Sequence, residues 1–205
     1  MPRTSVITGS ASGIGKATKE LLERRGERVV GVDVHDTDVI ADLSIPSGRS
    51  AMVDEVAALT GGHLDAVFAV AGLATPVPAT LARAGELAGA GPEAGGLIYG
   101  TSKRAFALWL RRVAATPDWA GAGIPLNAAA PGIIETPMTA DLIATAEDRE
   151  ALLRQVPMPL GGIAEPIVVA RLLAWLGGEE NTHLCGQVVF VDGGSDAVIR
   201  GDSTW

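Results

Sequence analysis

The run Ser5-Val6-Ile7-Thr8-Gly9-Ser10-Ala11-Ser12-Gly13-Ile14-Gly15 decides the fold. Its first three residues are short, apolar and partly β-branched, which predicts a strand. The glycines that follow predict a turn. Beyond them Ile14, Ala17, Leu21 and Leu22 recur on one side of a helical wheel, with Lys16, Lys19, Glu20 and Glu23 on the other, and Gly26 closes the helix. Strand, glycine turn and helix are the context a dinucleotide site needs. Glycines admit a pyrophosphate close to the backbone, and the N–H groups of the helix start attract its charge. The competing reading is a tight turn whose glycines serve conformation alone.

Working outward, Arg28-Val29-Val30-Gly31-Val32 reads as a second strand ending at Asp33, 18 residues after Gly15. A carboxylate there accepts hydrogen bonds from the adenosine ribose and repels a 2′-phosphate, so NAD is expected over NADP. Val34, His35 and Asp36 supply no Lys or Arg that would reverse this preference. Val39-Ile40-Ala41 predicts a third strand, ending at Asp42-Leu43. Residues 47–60 predict a helix with Met52, Val53, Val56 and Leu59 inward. Residues 65–70 read as a strand buried on both faces, leading into Ala71-Gly72, where small residues again admit a cofactor. This alternation implies a parallel, doubly wound α/β sheet.

Residues 73–98 hold little strand material: a helical-looking stretch at 78–87, then a glycine-rich tail and the β-like pair Leu97-Ile98. Tyr99 and Lys103 follow at the start of a predicted helix that continues through Phe106, Leu110 and Val113, the side expected to pack on a sheet. Four residues apart, they share one helix face. An ammonium beside a phenol favours the ionised form, so the pair could move a proton near neutral pH. Tyr99 is the only tyrosine. Residues 124–130 predict another strand, delivering Pro131-Gly132-Ile133-Ile134-Glu135-Thr136 to the sheet end where such folds place ligands. Residues 139–156 read as a partly helical flap, and 165–176 as a helix with Pro166 in its first turn and apolar Ile167, Val168, Leu172 and Trp175. Residues 187–191 read as a last strand before Asp192-Gly193-Gly194.

With 205 residues, no internal repeat and no low-complexity linker, one domain over 1–205 is expected. A net charge of −8 without a basic run argues against a nucleic-acid surface. A lone Cys185 and three dispersed histidines offer no metal-ligand spacing, so no metal is expected. No apolar run reaches the length of a membrane span, and the residues before Gly9 leave no room for a signal peptide. A cytoplasmic setting is expected.

The motifs lie in one order: Thr8-Gly9-x-x-x-Gly13-Ile14-Gly15, Asp33, Asp42-Leu43, Ala71-Gly72, Tyr99-x-x-x-Lys103, Asn127, Pro131-Gly132-x-x-x-Thr136 and Asp192-Gly193-Gly194. Together they resemble the short-chain dehydrogenase/reductase family. Within it, Ile40-Ala41-Asp42-Leu43-Ser44, Gly95-Gly96-Leu97-Ile98-Tyr99 and the run from Val191 to Arg200 are most similar to bacterial 3α-hydroxysteroid dehydrogenase/carbonyl reductases. The resemblance implies a Rossmann-like fold and NAD-dependent interconversion of a secondary alcohol and a ketone, the substrate being a hydroxysteroid or another small hydrophobic carbonyl compound. It implies that Tyr99 donates the proton in reduction and that Lys103 holds the nicotinamide ribose and lowers the tyrosine pKa. Ile133 and Thr136 would hold the carboxamide. Gly9, Ser12, Gly13, Ile14, Gly15, Asp33, Asp42, Leu43, Ala71, Gly72, Pro131 and Gly132 would complete the cofactor site. A homodimer is expected through the final strand and the Leu172/Trp175 helix.

Two departures qualify the resemblance. Val70 stands where the family carries Asn. More seriously, the family places a helix and a fifth strand, with its catalytic Ser, ahead of the tyrosine. Here no serine occurs between Ser50 and Ser102, and Thr75 and Thr80 are the only hydroxyls in residues 73–98. Against the family pattern a block is missing between about Ala71 and Thr75, either from the protein or from the sequence as given. The alternative is therefore a non-catalytic NAD-binding protein of the same fold.

Overall fold

The computed structural model describes residues 2–72 and 92–203, with side chains for 2–72 and 100–203. The helical reading at 78–87 and the two threonines at 75 and 80 lie outside the described residues. In chain order the elements are β1 (Thr4–Thr8), α1 (Gly13–Arg24), β2 (Arg28–Asp33), β3 (Val39–Ile40), α2 (Pro46–Thr60), β4 (Ala66–Ala69), α3 (Pro92–Val113), β5 (Ala128–Pro131), α4 (Ala146–Gln155), α5 (Pro166–Leu176), β6 (Val188–Val191) and α6 (Ser195–Arg200). Two compact units divide the chain: Met1–Ala71, Ala129–Thr182 and Phe190–Trp205 in the first, Gly72–Ala128 and His183–Val189 in the second.

The first unit contains a four-stranded parallel sheet in the order β3-β2-β1-β4. Side chains of a strand alternate between faces, and β1 uses both. Val6 joins Val30, Val32, Val39 and Val56 in one core cluster, while Ile7 joins Leu22, Phe68 and Ala174 in the other. Helix α2 thus covers one face and α1 with α5 the other, the doubly wound arrangement expected from the sequence. Gly26 ends α1 at φ 84° with its N–H on Glu23 O, as its position in the sequence predicts.

The inward face of α2 differs from the sequence reading. On α2 the inward line is Gly48, Met52 and Val56, four residues apart, and Val53 and Leu59 are exposed. Gly48 sets that register, because a Cβ there would overlap the Asp42 carbonyl. On α5 the buried residues are Val169, Ala170, Ala174 and Leu176, whereas Val168 and Trp175 face outward. The small alanines turn inward, and the large Trp175 is accommodated outside. Strand β4 is not buried on both faces: Val67 is 65% exposed. Within this sheet β4 is the edge beyond β1, so its continuous apolar pattern overstated its burial.

Helix α3 spans Pro92–Val113 among the described residues, so Leu97 and Ile98 are helical and Tyr99 lies within a helix already under way rather than at its start. The two glycines at 95 and 96 do not break it. Leu110 is fully buried on this helix, but Phe106 is 48% exposed and touches Trp109 at a 5.7 Å ring separation. The expected inward trio thus reduces to Leu110 with half-buried Val113. Strands β5 and β6 pair as a separate two-stranded sheet. Asn127 fixes their approach, donating to Leu184 O at 2.6 Å and accepting from Gln187 N at 3.0 Å.

Candidate active site

Glycine chemistry builds the nucleotide end. Gly9 leaves β1 at φ 73°, a backbone angle that other residues resist. A Cβ there would come within 2.9 Å of Ala71 N, so the loop and the end of β4 meet through this glycine. Thr8 secures the same junction, its Oγ1 accepting from the N–H groups of Val70 and Ala71 at 3.1 Å each. The sequence reading placed Thr8 at the head of the glycine motif without giving its hydroxyl a role. A Cβ on Gly15 would overlap the Gly9 carbonyl, which is how the start of α1 closes onto the loop. Ser12 occupies the N-cap in extended conformation with no side-chain bond to the helix, and the first turn carries no acid. The N–H groups of Gly13, Ile14 and Gly15 have no acceptor within the helix.

Asp33 ends β2 facing that loop: its Oδ2 accepts from Ala11 N at 3.0 Å and its Oδ1 from Val34 N at 2.7 Å. Each oxygen keeps a free lone-pair direction, so the carboxylate can still accept from a ribose hydroxyl. Asp42 is exposed and accepts from Ser44 N at 2.9 Å, while Leu43 packs against the first core cluster. Uncapped N–H groups, a glycine crest and a half-buried carboxylate fit a dinucleotide. An adjacent groove of about 340 Å³ runs past Gly13, Lys16, Glu20, Glu135 and Glu165. Three carboxylates against one lysine make it a poor seat for a diphosphate, whereas open α/β sheets take ligands at the carboxyl ends of their strands.

In the same unit, Thr136 stands beside the glycine loop, its Cγ2 within 3.2 Å of where a Gly13 Cβ would sit. Thr139, unremarked in the sequence, locks this turn by accepting from Thr136 N at 3.0 Å and donating to Ile134 O at 2.6 Å. Ile133 N donates to Met158 Sδ, and Met158 is buried. Ile143 is likewise buried, whereas Met138 and Leu142 are exposed. Pro131 is exposed, and Gly132 allows the chain to pass the last turn, where a Cβ would lie 2.9 Å from Asp192 Cα. Asp192 in turn accepts from Gly194 N and Asp196 N. The structure thus gathers Gly9, Ser12, Gly13, Ile14, Gly15, Asp33, Asp42, Leu43, Ala71, Pro131, Gly132, Ile133 and Thr136 in the first unit. Gly72, Tyr99 and Lys103 belong to the second, where the backbone of α3 sets positions 99 and 103 about one turn apart and Lys103 is exposed.

Three acids of the first unit are held below the ordinary carboxylate range. Burial raises Asp38, but the Lys19 bond, the Gly31 N–H and the Lys19 charge outweigh it. Bonds from Ser44 lower Asp42, and the Thr4 N–H lowers Asp65. Because the folded values are depressed, the stability these groups contribute is complete above their unfolded value of 3.8 and is lost as pH falls through the folded values. The urea midpoint is expected to hold between about pH 7 and 5 and to fall below about pH 4. A midpoint that rises on acidification would contradict this.

Parallel strands wound on both faces around a glycine crest, with a carboxylate at the end of β2, define a dinucleotide-binding α/β protein. The family model for enoyl-(acyl carrier protein) reductase matches residues 80–196. The chain is 32% identical over 252 residues to the 3-alpha-hydroxysteroid dehydrogenase/carbonyl reductase of Comamonas testosteroni, covering 95% of this chain and 97% of that protein. It is 31% identical to cis-4-hydroxycyclohexanecarboxylate dehydrogenase of Sinomonas cyclohexanicum over 248 residues, covering 96% and 97%. The crystal structure of the 3-alpha-hydroxysteroid dehydrogenase from Pseudomonas sp. B-0831 complexed with NADH superposes with a TM-score of 0.79 at 33% identity, covering 98% of this chain and 99% of that one. The chain belongs to the short-chain dehydrogenase/reductase family of oxidoreductases, enzymes that act on CH–OH groups with a nicotinamide cofactor. An alignment of 252 positions onto 205 residues leaves internal positions of the relative without a counterpart, in keeping with an absent block before the tyrosine helix. Among the described residues no group of three His, Cys, Asp or Glu could hold a metal ion, and no helix is long and apolar enough to cross a membrane.

Proposed function

We propose that the chain is a single-domain, NAD(H)-dependent oxidoreductase that interconverts a secondary alcohol and a ketone on a hydrophobic, ring-bearing substrate such as a hydroxysteroid. The observation that carries the cofactor reading is Asp33, which ends β2 against the glycine loop with lone pairs to spare. Both named relatives above take alcohols on alicyclic rings, which supports the substrate class. When bound, the dinucleotide supplies or accepts the hydride. The N–H groups at Gly13, Ile14 and Gly15 bind its diphosphate, with Gly9, Ser12, Ala71 and Gly72 shaping the approach. Asp42 and Leu43 border the adenine, and Pro131, Gly132, Ile133 and Thr136 border the nicotinamide. Tyr99 delivers a proton from its phenol to the carbonyl oxygen in reduction and takes it back in oxidation, and Lys103 eases ionisation of that phenol and holds the ribose.

Asp33→Ala tests cofactor choice. The variant is expected to lose about tenfold in NADH affinity and to gain relative affinity for NADPH, because both ribose acceptors and the charge that repels a 2′-phosphate go together. An unchanged NADH/NADPH ratio by fluorescence titration would remove Asp33 from the assignment.

Self-association is part of the same reading. Phe190 on β6 and Val168 and Trp175 on α5 expose apolar surface. We expect a homodimer by light scattering at micromolar concentration; a monomer rejects it. The free Cys185 suits a reducing cytoplasm.

The absence of a serine between Ser50 and Ser102 favours a second reading, a chain that binds NAD without turning it over. Such a protein would keep the glycine crest and lack the hydroxyl that shares the developing oxyanion charge. Steady-state oxidation of NADH by an apolar ketone separates the two.

A further inference from the structure

Gly31 is buried inside β2, where a glycine weakens a strand unless something approaches its backbone closely. Two side chains do. A Cβ on Gly31 would overlap Thr37 Oγ1 and Ser10 Oγ, and these two hydroxyls bond each other at 2.7 Å. Ser10 is 4% exposed, so the pair is a built contact between the glycine loop and the corner that follows Asp33. Next to it, Asp38 Oδ2 accepts from Gly31 N at 2.8 Å and from Lys19 Nζ at 2.8 Å, tying the end of the corner to both β2 and α1. Gly31 and Asp33 lie two residues apart and so share one face of β2. Ala11, beside Ser10, donates its N–H to Asp33. The corner held between these anchors is exposed at Val34, His35 and Asp36, and Asp36 adopts φ 50°, which costs a non-glycine residue conformational energy. A strained, exposed corner pinned at both ends is over-determined, and such strain is kept where position matters.

We propose that Thr37 and Asp38 are positioning residues for the adenosine end of the cofactor: with Ser10 and Lys19 they strap the corner over Gly31 and hold the Asp33 carboxylate at the angle a ribose diol requires. This rests on the cofactor site described above. The strap acts on the adenosine half only, so its loss is felt by the dinucleotide and not by the nicotinamide half alone.

The test is equilibrium binding of NADH and of reduced nicotinamide mononucleotide by the full chain. Thr37→Val is expected to raise the Kd for NADH by roughly tenfold with the mononucleotide unaffected, and Thr37→Ser to restore the parent value. Ser10→Ala, which leaves a packed methyl, is expected to match Thr37→Val. The double variant Ser10→Ala/Thr37→Val is expected to be no weaker than either single variant, because one shared bond is lost in all three. Asp38→Asn, which retains an acceptor for Gly31 N–H but loses the ion pair, is expected to weaken NADH by a smaller factor. NADH affinity within twofold of the parent in Thr37→Val and Ser10→Ala would overturn the strap, as would equal weakening of NADH and the mononucleotide. A parent chain that binds neither compound overturns the cofactor reading and the strap together, whereas a parent that binds NADH beside variants that match it overturns the strap alone.

Discussion

Tyr99→Phe is expected to lower NADH-dependent ketone reduction by about 10³-fold while leaving the Kd for NADH within twofold of the parent. Phenylalanine keeps the ring and removes only the hydroxyl, so any loss is of the proton and not of packing. The expectation is sharpened by composition, since Tyr99 is the sole phenol of the chain and no other can replace it. Lys103→Met is expected to act in the same direction with a visible shift of the pH–rate profile to higher pH, because the neighbouring charge that eases phenol ionisation is gone. Unaltered turnover in Tyr99→Phe would dismiss the tyrosine from the chemistry.

Gly15→Ala is expected to be the most damaging single methyl in the first unit. The added carbon overlaps the backbone carbonyl of Gly9, which no rotamer change can relieve, so the start of α1 must move away from the loop. Overpacking of this kind costs about 3 kcal/mol, which in a chain of this size lowers the melting temperature by roughly 6–12 °C. NADH binding is expected to be lost with it, because the N–H groups offered by Gly13 and Ile14 swing with the helix. Calorimetry and a binding titration read the two effects separately. A variant that melts and binds like the parent would show that α1 does not close on the loop as described.

Local chemistry made the nucleotide half legible in the sequence. Glycines at 9, 13 and 15 between a strand and a helix have few other uses, and Asp33 follows at the distance a second parallel strand imposes. Side-chain direction was less legible. Val53 and Leu59 were expected inside and lie outside, because apolar periodicity names a stripe while close backbone approach at Gly48 chooses its phase. The hydroxyl links of the nucleotide loop were invisible for another reason: Thr8, Ser10 and Thr37 act on backbone or on one another across chain distances that no local pattern records. The place of Tyr99 within α3 was misjudged because Gly95 and Gly96 read as a loop, whereas both are helical. Tyr99 and Lys103 kept their shared face regardless, since their spacing depends only on the helix period.

The most direct test of catalysis by this chain is the oxidation of NADH by the parent protein in the presence of an alicyclic ketone, with the alcohol product quantified. The predicted result is saturable NADH consumption matched one to one by alcohol and dependent on the ketone. Saturable NADH binding with no ketone-dependent consumption across a panel of alicyclic ketones would contradict it and leave a nucleotide-binding protein in which Tyr99 transfers no proton to substrate.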